Sequence, residues 1–373
     1  MLFAALTPLL PEFAERFGIS KTGAGLLVAS YAIGVLAGAF PAGIAAARAG
    51  AKPAALAGLV VVAAASVTFA FAGDVWTLGA ARFAQGIGSA LAWSGGLSWL
   101  IAATPRGRRG ELLGTALAAA IFGALLGPAL GGLAALVGTR WTFSAVGVLA
   151  LTVSAAGLSE PGVAKETPSL AAVRRAFGER RFVGGLWLMV LPALLFGILS
   201  VLVALDLDRL GWSAVGIGAL FLAAAAIETV VNPLIGRLVD RRGALRPVRV
   251  ALPAGVAVAL ALGWANHVVL IVALALAASV AWGSLFTPGM TLLSSGAERV
   301  GLPQALGFGL MNAAWASGAM VGPAVGGALG DAVGDPVAYG VGALACAATF
   351  AAILWHSRTR SARGALLRAT TVR

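Results

Sequence analysis

Eleven long apolar segments divide this chain, and each has the length of a helix that crosses a lipid bilayer. They run over 24–47, 53–72, 76–103, 112–137, 142–158, 182–205, 214–238, 248–264, 268–293, 305–329 and 337–355. A bilayer core requires about 20 apolar residues per helix. A twelfth segment, Met1 to about Phe13, is apolar but too short, so the first helix is truncated or begins upstream. Because lipid leaves backbone groups no outside partner, the pattern predicts an all-α integral membrane protein with twelve transmembrane helices.

The chain also repeats itself. PEFAERFGISKTGAGLL from Pro11 aligns without gaps with ALDLDRLGWSAVGIGAL from Ala204, at an offset of 193 residues. GALLGPALGG from Gly123 matches GAMVGPAVGG from Gly318 at an offset of 195. Two halves of one design are the simplest explanation. We therefore predict two pseudo-symmetric six-helix bundles, one over 1–159 and one over 182–356. A cytoplasmic link at 160–181 joins them, and a basic tail follows at 357–373.

The repeated glycine–proline stretches predict close helix contacts. Glycines four residues apart lie on one helix face, where a second backbone can approach closely. Proline has no N–H and crowds the carbonyl four residues earlier, so it bends that face. The residues concerned are Gly123, Gly127, Pro128 and Gly131 in the first copy and Gly318, Gly322, Pro323 and Gly326 in the second.

Basic residues lie mainly on one side of the predicted bundle. Of the 26 lysines and arginines, 21 fall on the side of the 160–181 link. The other side holds Arg16, Lys21, Arg140 and Arg209, and Arg82 lies within a span. The positive-inside rule makes the richer side cytoplasmic, so we expect a multi-pass protein of the plasma or inner membrane with a cytoplasmic C-terminus. The basic collar should favour anionic lipid headgroups.

Several other classes of function are not supported by the residues. The net charge of +12 is not organised as a basic block interleaved with aromatics, so we expect no nucleic-acid partner. The single cysteine, Cys346, provides no metal cluster or disulfide framework. Asp206 and Asp208 have no second acidic cluster to help them hold a metal-bound diphosphate, and no phosphate-binding loop is present. We therefore expect no enzyme activity and no cofactor.

Five short motifs follow one another in a defined order. They are PLLP at 8–11, GIAAARAGAK at 43–52, RFAQGIG at 82–88, GALLGPALGG at 123–132 and GRLVDRRGALR at 236–246. In this order they resemble the motifs of the major facilitator superfamily and, within it, of the twelve-helix drug:proton antiporters. The resemblance covers essentially the whole chain after Pro8. One departure is Ala47, which stands where the family has an aspartate that Asp240 retains in the second half.

The resemblance implies a role for each motif. The two loop motifs resemble those that help to latch the cytoplasmic side, through Gly43, Arg48, Gly50, Gly236, Asp240, Arg241 and Gly243. The arginine of the helix 4 motif, here Arg82, is associated in the family with proton transfer, and the helix 5 motif implies antiport. The resemblance also implies a secondary transporter, which we expect to be a monomer, whose halves rock about a central site.

Two charged side chains fall inside predicted spans. Arg82 lies roughly 9 Å below the outer end of its span. It either braces the bundle through backbone carbonyls or faces the central cavity near a proton or substrate site. Glu228 is the only carboxylate within a span, about two-thirds of the way along it. Desolvation favours the protonated form of a carboxylate, so Glu228 either exchanges protons or binds a cationic substrate. The alternative is a protonated glutamate that is hydrogen-bonded within a helix pair.

Further candidates for the substrate cavity are aromatic or polar residues of the predicted spans, the types that suit amphipathic ligands. They are Tyr31, Gln85, Trp93, Ser94, Phe122, Trp187, Asn312 and Trp315. Most membrane aromatics serve packing, which is the alternative for each of them. The function predicted is proton-coupled efflux of small hydrophobic or amphipathic compounds. Two alternatives stay open: an uptake symporter or uniporter for a metabolite such as a sugar or amino acid, and a non-transporting membrane scaffold or sensor.

Overall fold

A computed structural model describes residues 2–103, 123, 126–162, 170–302 and 304–370, and no strand occurs within these ranges. The helices of the first half are α1 (Leu2–Ala5), α2 (Leu10–Phe17), α3 (Lys21–Arg48), α4 (Ala51–Ala70), α5 (Val75–Ala103), α6 (Leu126–Val137) and α7 (Thr139–Leu158). A short helix, α8 (Leu170–Gly178), precedes the second half. The second half comprises α9 (Arg180–Arg209), α10 (Ala214–Arg242), α11 (Leu245–Gly263), α12 (Val268–Gly283), α13 (Phe286–Arg299), α14 (Gln304–Ala332) and α15 (Asp335–Thr370).

Within the described ranges, eight helical segments are long and apolar enough to cross a membrane. They lie in α3, α4, α7, α9, α10, α11, α12 together with α13, and α15. The other four predicted spans correspond to the shorter apolar helix α6, the long helices α5 and α14, and the segment at the N-terminus. The all-α membrane fold predicted from the apolar segments is therefore confirmed.

The first and tenth spans differ from continuous helices. The first consists of α1, a 3-10 turn at Thr7–Leu9 and α2, whereas α9, the first span of the second half, is one helix of 30 residues. The span predicted over 268–293 is interrupted between α12 and α13 at Ser284 and Leu285. Pro288 explains this interruption because it has no N–H to donate to the carbonyl of Ser284 and its ring crowds that carbonyl.

The repeat seen in the sequence is also a repeat of structure. Gly18 and Gly211, related by the offset of 193, end their helices with φ of 59° and 86°. Two residues later, Ser20 accepts a hydrogen bond from the N–H of Gly23 at 3.3 Å, and Ser213 accepts one from the N–H of Gly216 at 3.2 Å. The same glycine turn and serine cap therefore start α3 and α10.

The two halves meet at the end of the bundle where α3 begins and α14 ends, which we call the Lys21 end. A Cβ atom on Gly25 would lie 2.1 Å from the carbonyl oxygen of Pro323 in the opposite half. Its repeat partner, Gly218, faces Pro128, with 3.2 Å between a Cβ and that carbonyl oxygen. Each half thus places a glycine of its second helix against the proline-containing stretch of the other half.

The opposite end, where α3 ends at Arg48 and α10 ends at Arg242, is arranged differently. We call it the Arg48 end. Among the described residues, a Cβ on Gly43 would meet no atom within 4 Å, and a Cβ on Gly236 would meet only Thr287 of its own half. Contacts between α3 and α14 therefore close the Lys21 end, whereas neither Gly43 nor Gly236 contacts the opposite half among the described residues.

Candidate functional site

Arg82 lies inside the N-terminal half and is fully buried. Its Nη1 donates a hydrogen bond to the carbonyl oxygen of Leu2 at 2.6 Å, and its guanidinium lies 4.9 Å from the centre of the Tyr31 ring. A charge-assisted hydrogen bond and a cation–π contact both stabilise a buried guanidinium. The side chain of Arg82 therefore ties α5 to α1 and α3.

Two further polar pairs extend the surroundings of Arg82. The hydroxyl of Tyr31 donates to Ser89 at 2.8 Å, and the amide nitrogen of Gln85 donates to Ser66 at 3.3 Å. The amide oxygen of Gln85 accepts from Arg82 at 3.5 Å. Three residues predicted from the sequence, Tyr31, Arg82 and Gln85, are thus brought into one buried network between α3, α4 and α5.

Glu228 lies at the middle of α10, where it is the fifteenth of 29 residues. The position two-thirds along a span expected from the sequence is corrected, because α10 continues to Arg242. At about 1.5 Å per residue, roughly 20 Å of helix separates Glu228 from either end. Its carboxyl group packs against Gly283, where a Cβ would come within 3.0 Å of the Glu228 Cδ atom. The absence of a side chain at Gly283 therefore makes room for the carboxylate.

The helix interruption between α12 and α13 begins directly after Gly283. On α10, one turn beyond Glu228, Asn232 donates to the carbonyl oxygen of Glu228 at 3.0 Å. Thr287 of α13 in turn donates its hydroxyl to the Asn232 side-chain oxygen at 2.8 Å. Interrupted helices in membrane transporters mark places where backbone groups serve ligands. The carboxylate therefore lies beside a helix break and a short polar chain.

Three aromatic rings surround this break. Phe196 of α9 meets Trp282 edge-on with ring centres 5.8 Å apart, and it stacks on Phe286 with ring centres 6.3 Å apart. Trp282 directly precedes Gly283 in the chain, and Phe286 follows it by three residues. We define the Glu228 site as the carboxylate, its polar neighbours and these rings, namely Phe196, Glu228, Asn232, Trp282, Gly283, Phe286 and Thr287.

The charge of Glu228 is not balanced by a neighbouring cation. Among the described residues, no lysine or arginine nitrogen lies within 4.0 Å of its carboxylate. An ionised carboxylate in the middle of a membrane is unfavourable unless something neutralises it. A proton and a bound organic cation are two species that would do so. The carboxylate is therefore neutral when it holds a proton or is paired with a cation.

Arg82 and Glu228 belong to different halves and contact different helices. The contacts of Arg82 described above involve α1, α3 and α5 of the first half, whereas those of Glu228 involve α12 of the second.

The other predicted cavity residues are dispersed. Trp187 of α9 donates its indole N–H to Thr349 of α15 at 2.9 Å. Trp315 packs against a buried alanine group between the halves, formed by Ala32, Ala193 and Ala319. Trp93 is 37% exposed, and Ser94 and Asn312 are half-buried. Phe122 lies outside the described residues.

The glycine faces of the repeated stretches lie against first helices of their own halves. A Cβ on Gly131 would come within 2.3 Å of the Ala5 carbonyl oxygen, and one on Gly318 within 2.2 Å of the Val190 carbonyl oxygen. Gly322 makes the same close approach to Leu194 of α9, at 2.2 Å. The residues of the two loop motifs lie at the Arg48 end, where Arg48, Asp240 and Arg241 are exposed.

Two features were missed by reasoning from the sequence. Gly283 and Thr287 carry no signal of their own, although Pro288 in an apolar span is a sign of an interrupted helix. A set of contacts that joins Lys21 to Asp331 across the two halves was missed as well, since 310 residues separate these positions in the chain.

Comparison with known proteins agrees with this architecture. A family described as Major Facilitator Superfamily matches residues 1–307. An MFS-type transporter ppzB of Metarhizium rileyi is 31% identical over 137 residues, which are 35% of this chain and 28% of that protein. The vesicular acetylcholine transporter of Rattus norvegicus is 46% identical over 79 residues, 21% of this chain and 15% of that protein. The matches therefore span less than a third of these relatives.

The fold comparison covers almost the whole chain. A bacterial homologue of the human lysosomal transporter Spinster, solved in an inward-facing and occupied conformation, superposes with a TM-score of 0.77. It is 15% identical, and the superposition covers 96% of this chain and 93% of that one. Such a likeness shows a shared fold. The fold is that of transporters rather than enzymes, and the family match extends over residues 1–307. This chain therefore belongs to the Major Facilitator Superfamily.

Proposed function

We propose that this transporter exchanges protons for amphipathic organic cations, and that Glu228 carries the proton and the cation in turn. The observation that carries the proposal is the mid-membrane carboxylate, which has no cationic partner among the described residues. A group that holds either a proton or a monovalent cation stays neutral in both states. It therefore avoids the free-energy penalty of an unpaired charge in the membrane throughout the cycle.

The aromatic rings of the site support a cationic ligand. Rings attract organic cations through their electron-rich faces, and quaternary ammonium groups are recognised in this way. Trp282 directly precedes Gly283, on which the carboxylate packs, and Phe196 contacts both Trp282 and Phe286. The name of the rat relative, a vesicular acetylcholine transporter, refers to a ligand of this chemical class. We extend that class to larger amphipathic cations because the site is mainly aromatic and apolar.

The direction of exchange is part of the proposal. We place the Arg48 end and the C-terminus in the cytoplasm of a plasma or inner membrane, because most basic residues lie on that side. The basic collar there would contact anionic headgroups, and the protein would act as a monomer whose bundles span 1–159 and 182–356. With the Lys21 end closed, a cation would reach Glu228 from the cytoplasm and displace its proton. After the halves rock, a proton from outside would displace the cation.

A charge count distinguishes this mechanism from other forms of coupling. If one carboxylate holds either one proton or one monovalent cation, each cycle moves one positive charge in each direction. The exchange is then electroneutral, so a membrane potential alone should not drive it. A pH difference, in contrast, should drive cation accumulation.

The test uses purified protein in vesicles that contain a pH-sensitive dye. Lipophilic cations such as tetraphenylphosphonium and ethidium are compared with neutral amphipathic compounds, for the wild type, Glu228→Gln and the control Glu160→Gln. Glu160 is an exposed carboxylate beyond the end of α7. We expect cation-dependent proton release in the wild type and in Glu160→Gln, and its loss in Glu228→Gln. Proton movement that survives in Glu228→Gln would refute the assignment, and proton and solute movement in the same direction would indicate symport.

A further inference from the structure

The N-terminus of α3 is capped by a carboxylate from the opposite half of the protein. The N–H of Lys21 donates to Asp331 Oδ1 at 3.0 Å, and the N–H of Thr22 donates to Asp331 Oδ2 at 2.5 Å. The hydroxyl of Thr22 donates to the same Oδ2 atom at 2.5 Å. The first N–H groups of a helix have no partner within the helix, and its N-terminus favours negative charge. Asp331, at the end of α14, supplies both the acceptor and the charge.

The side chain of Lys21 makes a second set of contacts across the same boundary. Its Nζ donates to Asp335 Oδ1 at 2.5 Å and lies 3.9 Å from Asp206 Oδ1. The Lys21 side chain is only 9% exposed, so water screens these contacts less than at an open surface. Arg209 also approaches Asp206, at 3.6 Å, but its side chain is 62% exposed and belongs to the same half. One buried ammonium group of the first half is thus held by two carboxylates of the second.

Among the described residues, these contacts occur at only one of the two repeat-related junctions. The offset of 193 relates Lys21 and Thr22 to Ala214 and Val215, and the offset of 195 relates Asp331 to Leu136. All three counterparts are apolar. The junction at Gly218 therefore reproduces the close packing seen at Gly25 without its charged groups, so the charged contacts are not a consequence of the repeat.

We propose that Lys21, Thr22, Asp206, Asp331 and Asp335 form a one-sided charged latch that must break before the Lys21 end can open. All donors in these cross-half contacts belong to α3, and all acceptors belong to α9, α14 or α15. Separation of the halves consequently breaks every contact at once. By comparison, the hydrogen bond from Gly23 to Ser20 lies within one half and survives the motion.

The latch sets the balance between the closed and open states. In the open state water replaces the protein partners, so only the difference between protein and water contacts opposes opening. For hydrogen bonds to a charged group this difference still shifts an equilibrium on the order of tenfold or more. Loss of the latch is expected to populate an opening at the Lys21 end whatever substrate the protein carries, so the inference does not depend on the cation proposed above.

Spin labels on the two halves measure this balance without substrate. Gly73→Cys, between α4 and α5, and Asn266→Cys, between α11 and α12, place labels in exposed loops at the Lys21 end. The native Cys346 is removed as Cys346→Ala. In lipid nanodiscs, pulsed dipolar spectroscopy should show one predominant short distance for the otherwise unaltered protein. Asp331→Asn should raise the population of longer distances by on the order of tenfold.

Two controls separate a latch from general destabilisation. Asp208→Asn removes an exposed acid at the same end of α9, and Glu12→Gln removes an exposed acid of α2 in the first half. Neither should lengthen the distance. Thr22→Val, which removes one hydroxyl and keeps the backbone contacts, should give a smaller shift than Asp331→Asn and serves if the latter folds poorly.

The ion pair is tested by exchanging its charges. Lys21→Asp should open the Lys21 end, and adding Asp335→Lys should restore part of the short-distance population. The inference is overturned if Asp331→Asn and Thr22→Val leave the distances unchanged, or if the two controls lengthen them equally. Because no substrate or proton gradient is present, a failed latch would leave the Glu228 proposal unaffected, and the reverse also holds.

Discussion

Replacing Gly25 with alanine is a direct test of how the Lys21 end closes. A Cβ at this position would lie 2.1 Å from the carbonyl oxygen of Pro323, 3.0 Å from its carbonyl carbon and 3.4 Å from the Cα of Gly327. All three contacts are with backbone atoms of α14, which cannot move away by changing a rotamer as a side chain can. To restore an ordinary contact the two helices must separate by roughly 1 Å, a typical overpacking strain.

The repeat provides a matched comparison at Gly218. There the added Cβ would lie 3.2 Å from the carbonyl oxygen of Pro128 and 3.4 Å from Cγ of Pro8. A shift of a few tenths of an ångström would relieve these contacts. Both substitutions replace glycine inside a helix, so the gain in helix propensity of about 1 kcal/mol is common to both and does not affect their difference.

The expected effects follow from the two distances. Overpacking costs about 1 to 3 kcal/mol, and we assign the upper value to Gly25→Ala and the lower to Gly218→Ala. Relative to wild type, about 3 kcal/mol disfavours the closed state by roughly 150-fold and about 1 kcal/mol by roughly fivefold. The labelled pair at positions 73 and 266, in the Cys346→Ala background, should thus show mainly long distances for Gly25→Ala and mainly short ones for Gly218→Ala.

Several outcomes would refute this reasoning. If Gly25→Ala retained the short distance, the contact with Pro323 would not limit closure. If Gly218→Ala lengthened the distance as much as Gly25→Ala, the geometric difference between the junctions would have no energetic meaning. A thermal unfolding midpoint measured for both variants shows whether either has lost the fold instead of changing state.

Two further predictions concern other parts of the chain. Gly283→Ala should weaken cation-dependent proton exchange by displacing the carboxylate that packs there, whereas Gly340→Ala, where a Cβ would meet no atom within 4 Å, should leave exchange unchanged in the same vesicle assay. At the start of α5, the Thr77 hydroxyl and then the Thr77 N–H donate hydrogen bonds to Asp74 and lower its pKa. The stability that these bonds add to the folded protein is fully present above the pKa of the unfolded carboxyl, about 4. It is lost as the pH falls through the lower pKa of the folded state. Thermal unfolding between pH 3 and about 6 should therefore show less pH dependence for Asp74→Asn than for the wild type, and equal dependence in both would contradict this role.

Much of the architecture could be predicted because membrane insertion is a local property. Whether a segment can enter lipid depends on its own apolar length, which is why the spans matched by α3, α4 and α9 were visible in the chain. The repeat was visible for a similar reason, since Gly18 and Gly211 each stop a helix through their own backbone conformation. The interruption beside Gly283 was less visible, because Pro288 is also compatible with a bent continuous helix.

The candidate site could be predicted only in part. The sequence identified Glu228 as unusual because a charge in an apolar segment stands out against its neighbours. It also identified Arg82 but left two roles open, and its contact with the Leu2 carbonyl could not be predicted, since that carbonyl belongs to another helix. The contacts among the three aromatic rings of the site join α9 to α12 and α13. Trp282 and Phe286 are four residues apart, but no spacing along the chain relates Phe196 to them.

Amino-acid order alone therefore determines the apolar segments, the repeat and the two charged residues within spans. Each of these features depends on a few neighbouring residues and on whether water or lipid surrounds them. The pairing of Lys21 with Asp331 and the packing of Glu228 on Gly283 depend instead on which helix faces meet. In lipid, helix faces are selected by close packing and satisfied polar groups rather than by hydrophobicity, which is nearly uniform around each helix. Only the assembled helices, with their glycine contacts, bring these distant groups together.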